Sequence, residues 1–446
     1  MVVISLRTFR LHDNPLLSYG SSITIIVDLK RIPKKDPYKE PVNSKVWSIP
    51  QAWLYLKCIE GHINDLMSYG YNVKLVLSSN IAQDLKHISR NDTNAIVDLA
   101  HDPAYDNIYE EINKNFSNVK YVETCTLVDW RKHKQEVDDA FSTPFKKTTN
   151  LKKYIRQNVV QPIPAPSKKK AIKKSMQTKN LKMLQQDIKK LAQTYNISLY
   201  PFNILNCKTL DESILKFADA QIRKVKKPTW YKPSTARNVS LLEHPNNEKL
   251  DTSKMSPFFS IGALSVRTFY KKVKLNTWKL GTSEDQLLFR ECWYVVAIQD
   301  ERNRKKFWSN KPLWWKQRHG TFNDSKKSWT SQKNKDIALW TDGEMNEKWV
   351  DANESMHLLL ETGWIHHLRR HVVADVLCNR FNVHFLYGEA WFRRTLIDHD
   401  AVINRANWMW LSASAFSTKQ MAYHYSPVDY VSRNSTDDFH KTEKIC

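Results

Sequence analysis

The stretch that decides the fold is Gly363–Leu377, GWIHHLRRHVVADVL. Trp364, His367 and His371 stand at positions i, i+3 and i+7, which predicts that they share one helix face, with Arg370 beside it. Burying these polar groups among apolar neighbours is costly unless they have partners. From these residues alone, a structural polar cluster is the commoner explanation and a catalytic site the alternative. No metal site is predicted, because the histidine pair lacks the H-E-x-x-H context and a third ligand.

A second stretch, Leu396–Phe416, supplies partners for this cluster. Its sequence, LIDHDAVINRANWMWLSASAF, places Asp398 and Asp400 just before a predicted helix, and Asp400 suits the N-cap. A carboxylate at this point could pair with Arg370 of the preceding helix. The same predicted helix carries one amide and two indoles, at Asn404, Trp408 and Trp410. Such a combination suits a buried aromatic heterocycle that has hydrogen-bonding edges and changes charge on reduction.

Residues 1–130 alternate between strand-like and helix-like patterns. Short β-branched runs, VVISL, SITIIVDL, YNVKLVLS and NAIVDLA, predict strands. Between them, WLYLKCIEGHINDLMSYG has helical spacing of its apolar residues and ends at Gly70. This alternation predicts an α/β domain with a doubly wound, Rossmann-like parallel sheet.

Residues 131–200 are predicted to be a linker with a basic loop, because three prolines are followed by a lysine run, Lys168–Lys174. That run could also be a nuclear import signal or an arm that binds phosphates, and a solvated linker is about equally expected. Residues 201–446 are dominated by helix-like patterns and hold most of the sixteen tryptophans. We therefore predict an all-helical second domain.

Composition narrows the functional classes. The formal net charge of +23 favours an anionic partner, most commonly nucleic acid, over a merely solubilising surface. No apolar run reaches the ~18–20 residues of a membrane span, and the N-terminus lacks the cleavage site of a secretory signal. The six cysteines are scattered without a C-x-x-C pair, which is typical of a reducing intracellular compartment. From composition we expect an intracellular protein with a nucleic-acid partner and no membrane contact; a monomer is the default expectation, and the lysine run favours the nucleus.

The two C-terminal stretches resemble the flavin domain of the photolyase/cryptochrome family. G-W-I-H-H-L-x-R-H followed by D-x-D-x-x-x-N-x-x-x-W-M-W-L-S is most similar to the branch of (6-4) photolyases and animal cryptochromes. Three further segments match family motifs, at Leu6–Leu17, Thr252–Gly262 and Gln286–Glu291. The resemblance covers nearly the whole chain apart from 131–200 and the extreme C-terminus. It implies that 201–446 binds FAD, and that the α/β domain resembles one that holds a second, antenna chromophore in relatives.

The resemblance implies roles for individual residues around FAD. The implied cofactor-binding residues are Thr252, Ser253, Met255, Ser256, Arg290, Arg370, Asp398, Asp400 and Asn404. Arg370 and Asp398 would form a salt bridge against the isoalloxazine. Asp400 would accept a hydrogen bond from the ring edge, and Asn404 would lie near N5. Hydroxyl and backbone N–H groups of the segment from Thr252 would hold the FAD phosphates.

The activity implied by the resemblance is light-driven repair of (6-4) photoproducts in ultraviolet-damaged DNA. Reduced flavin would donate an electron to a lesion flipped out of the duplex. His367 and His371 would serve as proton donor and positioner, roles suited to histidine near neutral pH. The implied substrate-binding residues are Gln286, Phe289 and Trp410, with Phe289 replacing a tryptophan of the family.

Departures from the family pattern leave two other functions open. The family reduces its flavin through three tryptophans, of which Trp408 matches the first and Trp329 the outer one if one extra residue is allowed. The middle position is Phe385, which is harder to oxidise, so we expect an interrupted chain with Tyr387 or Trp391 as a detour.

The loop WTDGEMNEKWVDA, Trp340–Ala352, also lacks the family's Thr-Gly and proline. These differences allow a cryptochrome-like photoreceptor or regulator without repair activity. A DNA-binding relative that has lost flavin is the third reading.

Overall fold

The structure is a computed structural model. It describes residues 1–36, 38, 40, 44–90, 92–133, 148–171, 178–199, 209–224, 253–275, 281–298, 307–309, 320, 322, 335–412 and 414. Thr252 and Trp329 lie outside these residues, as does the second half of the lysine run.

The N-terminal region contains a parallel sheet of five strands. The strands are β1 Val2–Ser5, β2 Ser22–Asp28, β3 Asn72–Ser78, β4 Asn94–Asp98 and β5 Asn118–Val122. Their order is β3-β2-β1-β4-β5, and every neighbouring pair is parallel. This arrangement confirms the doubly wound sheet. Sequence patterning missed β5 because NVKYV is a half-exposed edge strand whose apolar run is broken by lysine.

Helices cover both faces of the sheet. Successive residues of a strand point to opposite faces, and each face packs in its own apolar cluster. These helices are α1 Ile49–Ser68, α2 Ile81–Ser89 and α3 Asp106–Asn115. Val3 and Ile25 pack in the cluster that contains α1, whereas Ile4 and Ile26 pack with α2 and α3. The period of two along each strand therefore builds a three-layer domain.

The segment predicted as a linker contains two packed helices, α4 Thr148–Asn158 and α5 Thr178–Thr194. The linker prediction is wrong for these helices because their few apolar residues recur at helical spacing. Ile155 on α4, and Leu181 and Ile188 on α5, are completely buried. Helix α5 packs against α1, and α4 packs against a helix of the C-terminal region. The proline-rich chain between them is not helical, and the Asp13 N–H donates to the Ile163 carbonyl at 2.8 Å.

The described residues of the C-terminal region form helices joined by loops, without a strand, which confirms the predicted class. Its helices are α6 Leu210–Lys224, α7 Ser256–Ser260, α8 Val266–Leu275, α9 Gly281–Ile298, α10 Lys335–Asp342, α11 Val350–Thr362, α12 His367–Asp375, α13 Phe385–Thr395 and α14 Ala401–Leu411. Helix α12 continues into a π-helical turn, Val376–Arg380. None of the helices in the described part is long and apolar enough to cross a membrane.

The first prediction about Gly363–Leu377 needs a correction. Gly363 adopts a left-handed backbone conformation (φ 71°) and ends α11, and α12 begins only at His367. Trp364 therefore precedes the helix, and the predicted face shared by Trp364, His367 and His371 is wrong. A C-terminal glycine of this kind ends a helix even where apolar spacing continues past it.

The motif at Leu6–Leu17 docks the sheet against the helical region. Arg7 Nε donates to the Ser260 carbonyl at 2.7 Å, and Arg10 Nη1 donates to the Gly262 carbonyl at 2.9 Å. Gly262 has φ 75°, and a Cβ there would collide with the Arg7 carbonyl. The close approach at this interface therefore requires glycine at position 262, and the arginines are held there by carbonyl acceptors.

A buried carboxylate forms a second connection between the regions. Glu291 on α9 accepts hydrogen bonds from the Leu127 N–H at 2.9 Å, the Val128 N–H at 3.0 Å and Trp130 Nε1–H at 2.7 Å. Its side chain is completely buried, and burial raises the pKa of its carboxyl group. Three donors on the loop after β5 thus share one acceptor group on α9.

Replacing Glu291 with alanine should destabilise the protein by about 2–5 kcal/mol, because three buried donors lose their acceptor. Urea unfolding followed by circular dichroism measures this change. Glu212→Ala, which removes an exposed carboxylate on α6, should stay within about 0.5 kcal/mol of the parent. Equal stabilities of the two variants would show that the Glu291 contacts contribute nothing.

Candidate functional site

The site is centred on an ion pair between α12 and the loop that precedes α14. Arg370 Nη2 donates to Oδ1 and Oδ2 of Asp398 at 3.0 and 2.8 Å, and Arg370 Nε donates to the Ile365 carbonyl at 3.0 Å. Ser256 Oγ donates to Asp398 Oδ2 at 2.7 Å. The ion pair predicted from the sequence is therefore present, and it is tied to α7 through Ser256.

Two other residues of the Ser253–Ser256 segment have different surroundings. Met255 is completely buried in the core, and its carbonyl accepts from the Phe258 N–H at 3.0 Å. Lys254 has a left-handed backbone (φ 52°), and its Nζ lies 5.6 Å from the centre of the Trp364 ring. Sequence reasoning did not single out Lys254, since the family motif leaves that position unspecified.

Asp400 caps α14 as predicted, and its other contacts come from two residues of α9 and one residue of the sheet region. Asp400 Oδ1 accepts from the Ile403 N–H at 3.2 Å, and Oδ2 accepts from Tyr294 Oη at 2.5 Å. Arg290 and Arg7 approach Oδ2 to 3.6 and 3.7 Å. Burial opposes ionisation of Asp400, but the two guanidinium groups outweigh it and hold the pKa of the carboxyl group below its usual value.

Arg290 belongs to the same interface. Its Nη1 donates to the Cys125 carbonyl at 2.9 Å and its Nη2 to Tyr294 Oη at 3.1 Å. Tyr294 was not predicted, and a tyrosine one turn after Arg290 carries no distinctive sequence signal. The implied roles of Arg290 and Asp400 towards the flavin stay predictions.

Asn404 is held on the inner side of α14. Its Nδ2 donates to the Glu389 carbonyl at 2.9 Å, and the Glu389 carboxylate accepts from Arg405 Nη1 at 2.6 Å and Arg393 Nη2 at 3.1 Å. These bonds join α13 to α14. They fix the buried amide in one orientation close to the loop that carries Asp398.

Three histidines and one indole form a cluster at the start of α12. The ring centres of His366 and His367 are 4.2 Å apart, those of His367 and His371 are 6.1 Å apart, and those of His371 and Trp410 are 5.8 Å apart. The structure thus brings together His367, His371 and Trp410, all three named as site residues from the resemblance, and adds His366. The doubled histidine of the motif was the signal for this fourth member.

All three histidines are neutral at pH 7. Burial and the neighbouring Arg370 lower the pKa of His371 to about 4 and that of His366 to about 3. His367 keeps an exposed side, but the surrounding protein limits hydration of its charged form, and nearby His366 adds to this effect. The pKa of His367 is therefore also well below its ordinary value.

Trp408 is buried behind this cluster. Its ring centre lies 5.0 Å from that of Phe392 and 6.1 Å from that of Trp340. A Cβ at Gly388 would collide with the Trp408 ring, so the glycine is required by the indole. Trp408 Nε1–H is buried without a hydrogen-bond partner among the described residues. Such a donor fits a pocket that is completed by a bound molecule.

The aromatic residues named for electron transfer have the following ring contacts, and the detour through Tyr387 or Trp391 stays a prediction. The Arg405 guanidinium carbon lies 5.6 Å from the Phe385 ring centre, which would disfavour positive charge on that ring. The Trp391 ring contacts that of Tyr38 in a tilted arrangement at 5.3 Å, and the Tyr387 ring contacts that of Phe322 at 5.0 Å.

Trp340, from the altered loop, is the described indole in ring contact with Trp408. Its own Nε1 donates to the Val373 carbonyl at 2.8 Å. Trp340 itself lies in α10, so the start of the altered segment is helical and packs against α12 through this indole.

The residues expected to touch a substrate occupy two places. Trp410 lies in the histidine cluster, whereas Gln286 is exposed on α9. Phe289, one turn after Gln286, is covered on one face by Lys152 of α4, whose Nζ lies 3.7 Å from the ring centre. In the described part of the chain, no group of three His, Cys, Asp or Glu side chains is suited to hold a metal ion.

A second set of unsatisfied polar atoms lies at the carboxyl edge of the sheet. The Arg31 guanidinium is sandwiched between Trp47 and Tyr105, at 4.3 and 4.4 Å from their ring centres. Three buried side chains here carry polar atoms without partners among the described residues: Arg31 Nε and Nη1, Gln51 Oε1 and His399 Nε2. Buried atoms of this kind call for a ligand or water, and the carboxyl edge is where doubly wound sheets bind ligands.

The loop around Asp398 is also held from the sheet side. Ser48 Oγ, at the start of α1, donates to the Leu396 carbonyl at 2.8 Å. Gln51 Nε2 donates to the His399 carbonyl at 2.7 Å. The loop is therefore anchored on both sides of the residue that pairs with Arg370.

Sequence comparisons identify this helical region. Residues 283–439 match the family model of the FAD binding domain of DNA photolyase. A (6-4)DNA photolyase of Arabidopsis thaliana is 36% identical over 197 residues, which are 42% of this chain and 32% of that protein. A cryptochrome-2 of Gallus gallus is 34% identical over 193 residues, 40% of this chain and 29% of that protein. The matched region thus spans about a third of each relative.

Comparisons of structure cover more of the chain. The cryptochrome of Synechocystis sp. PCC6803 superimposes with a TM-score of 0.68 at 17% identity, over 97% of this chain and 88% of that one. An archaeal photolyase from Sulfolobus tokodaii, whose structure holds two FAD molecules, gives 0.65 at 17% identity, over 100% and 89% of the chains. These likenesses show the fold. The chain therefore has the fold of these proteins, and its C-terminal region matches the FAD binding domain of DNA photolyase.

Proposed function

We propose that this protein repairs (6-4) photoproducts in ultraviolet-damaged DNA with FAD and light. The observation that carries the proposal is the cluster of His366, His367, His371 and Trp410, which lies beside the Arg370–Asp398 pair on α12. Arg370 of the ion pair and His367 and His371 of the cluster thus lie on one helix, α12. The net charge of +23 supports DNA as the partner.

The residues present fit a flavin. Arg370 and Asp398 offer a charged pair and Asn404 a fixed amide, while Trp408 carries an unsatisfied donor. When bound, FAD supplies the electron transfer, and the protein supplies position and electrostatics. Arg370 and Asp398 would hold the ring edge, with Ser256 keeping the carboxylate oriented.

The histidines would handle protons during repair. In the free protein they are neutral, because burial and Arg370 oppose the charged form. A DNA phosphate or an oxyanion on the lesion would add negative charge and raise their pKa. His367, which keeps an open side, would then donate the proton, and His371 would position the substrate together with Trp410.

A cryptochrome-like photoreceptor without repair activity is the second candidate. It is favoured by Phe385, which lies under the Arg405 guanidinium in the place of an oxidisable indole. Curated cryptochromes are also about as similar to this chain as the photolyases are. A DNA-binding relative without flavin is the third candidate.

Two further expectations extend the proposal. The unsatisfied atoms of Arg31, Gln51 and His399 support a second ligand between the sheet and the helical region, where an antenna chromophore would fit. The lysine run and a DNA substrate support a location in the nucleus. A monomer is the simplest assembly for an enzyme that acts on duplex DNA.

Replacing Asp398 with asparagine should lower FAD affinity about tenfold or more, because Arg370 would lose its charged partner. The FAD content of purified protein and a fluorescence titration of the apoprotein measure the effect. Glu361→Gln, an exposed change on α11, serves as the control. Unchanged FAD binding by Asp398→Asn would remove this residue from the flavin site, and colourless wild-type protein would favour the third candidate.

Replacing His367 with alanine should slow repair by about 100-fold or more while FAD is retained, since a general acid is lost. Chromatography of digested DNA after illumination follows the disappearance of (6-4) photoproducts. His357→Ala, an exposed histidine on α11, should leave repair unchanged. Flavin-containing wild-type protein that binds DNA and repairs nothing would support the photoreceptor instead.

Damaged DNA should bind more tightly as the pH falls from 8 to 5.5, by at most about tenfold per pH unit for each proton taken up. The sign follows from free-state pKa values of about 3 for His366 and about 4 for His371, which bound phosphate would raise. The charged groups that surround these histidines are Lys254, Arg369, Arg370 and Asp398.

Calorimetry in two buffers of different ionisation enthalpy measures the proton uptake. His371→Gln should reduce that uptake. An affinity that does not depend on pH, or an uptake that His371→Gln leaves intact, contradicts this role.

A further inference from the structure

The side chain of Asp285, near the start of α9, bridges two cations of α4. Its Oδ1 lies 3.2 Å from Lys152 Nζ and 3.8 Å from Arg156 Nη2. About half of the Asp285 side chain (51%) is exposed, whereas that of Lys152 is only 14% exposed. A carboxylate placed between an ammonium and a guanidinium marks a site with the geometry for an anion, here filled by a group of the protein.

The neighbouring carboxylate is held more firmly. Glu284 Oε1 accepts from Arg156 Nε at 3.0 Å, from Lys274 Nζ at 2.8 Å and from Tyr270 Oη at 3.0 Å. Burial opposes ionisation of Glu284, but Lys274 and Arg156 hold its pKa below the ordinary value. The cluster therefore contains three cations and two carboxylates, so it remains attractive to an external anion.

The cluster of Lys152, Arg156, Lys274, Glu284 and Asp285 lies next to two residues that the family resemblance implies as substrate contacts. Gln286 follows Asp285 directly and is exposed, and Phe289 lies under Lys152. Asp285 and Phe289 are four residues apart on α9, which is about one helical turn or 6 Å along the axis. That spacing is comparable to the distance between successive phosphates of a DNA strand, so a phosphate at Asp285 would place a nucleotide beside Gln286 and Phe289.

We propose that Lys152 and Arg156 bind a backbone phosphate of DNA, and that Asp285 occupies the phosphate position until DNA arrives. This inference rests on the proposed binding of DNA. Exposed ion pairs are weak, so a phosphate can displace the half-exposed carboxylate without unfolding α4. Arginine suits this exchange because its guanidinium forms two parallel hydrogen bonds to phosphate.

The consequence is that Asp285 lowers the affinity of the free protein for every DNA duplex. Contacts to phosphates carry no sequence information, so damaged and undamaged duplexes are affected alike. Asp285 would therefore reduce the amount of protein held on undamaged DNA and leave the ratio of the two affinities unchanged.

The test is a fluorescence anisotropy titration with two labelled duplexes, one undamaged and one with a single (6-4) photoproduct, between 50 and 200 mM salt. Asp285→Asn should bind both duplexes about two- to fivefold more tightly. Lys152→Ala should bind them more weakly and reduce the slope of log affinity against log salt by about one. In Lys152→Ala/Arg156→Ala, adding Asp285→Asn should produce no gain.

The matched control is Asp219→Asn on α6. Asp219 pairs with Lys272 at 2.8 Å and is 42% exposed, so this variant makes the same change of net charge at a similar exposure away from α4. Thermal unfolding confirms that each variant is folded. Equal affinities of Asp285→Asn and Asp219→Asn would overturn the phosphate site.

The two proposals fail in different ways. Tighter binding by Asp285→Asn without lesion preference in any variant keeps the phosphate site and overturns lesion repair. Lesion preference with no effect of Asp285→Asn overturns the phosphate site alone. Failure of both the wild type and Asp285→Asn to bind either duplex overturns both.

Discussion

Buried charge between the sheet and the helices is the constraint on which this structure depends. Glu291 and Asp400 are buried carboxylates. All the donors of Glu291 lie on the other side of the interface, whereas Asp400 is held by Tyr294 and Arg290 of α9 and also lies close to Arg7 of the sheet region. Arg7, in the loop after β1, lies 3.7 Å from Asp400, and Trp130, in the loop after β5, donates a hydrogen bond to Glu291. Because the donors of Glu291 are present only when both regions are in place, these contacts favour one relative arrangement of the regions.

Features that depend mainly on neighbouring residues in the chain could be predicted from the sequence. β-branched runs predicted β1 to β4, the Asp400 N-cap was recognised from its position, and the Arg370–Asp398 pair followed from the two C-terminal stretches. Spacing alone did not decide between a structural polar cluster and a catalytic site. The catalytic interpretation came from the family resemblance. The helical class of the second region followed from its apolar periodicity.

The errors arose where tertiary contacts or a single backbone conformation decided the outcome. Gly363 ended α11 inside a continuous apolar pattern, which separated Trp364 from His367. Helices α4 and α5 have mostly polar surfaces, so their few buried residues were hidden among lysines. The partners of Asp400, notably Tyr294, come from distant parts of the chain and have no local signature.

The anchoring of the Asp398 loop by Ser48 and Gln51 has a consequence for cooperativity. The loop belongs by sequence to the helical region, yet two of its carbonyl groups are bonded to the start of α1 in the sheet region. Separating the two regions would break these bonds and release the carboxylate that pairs with Arg370. The flavin frame is thus a property of the joined molecule, and its backbone amides should exchange with solvent mainly through openings that involve both regions at once.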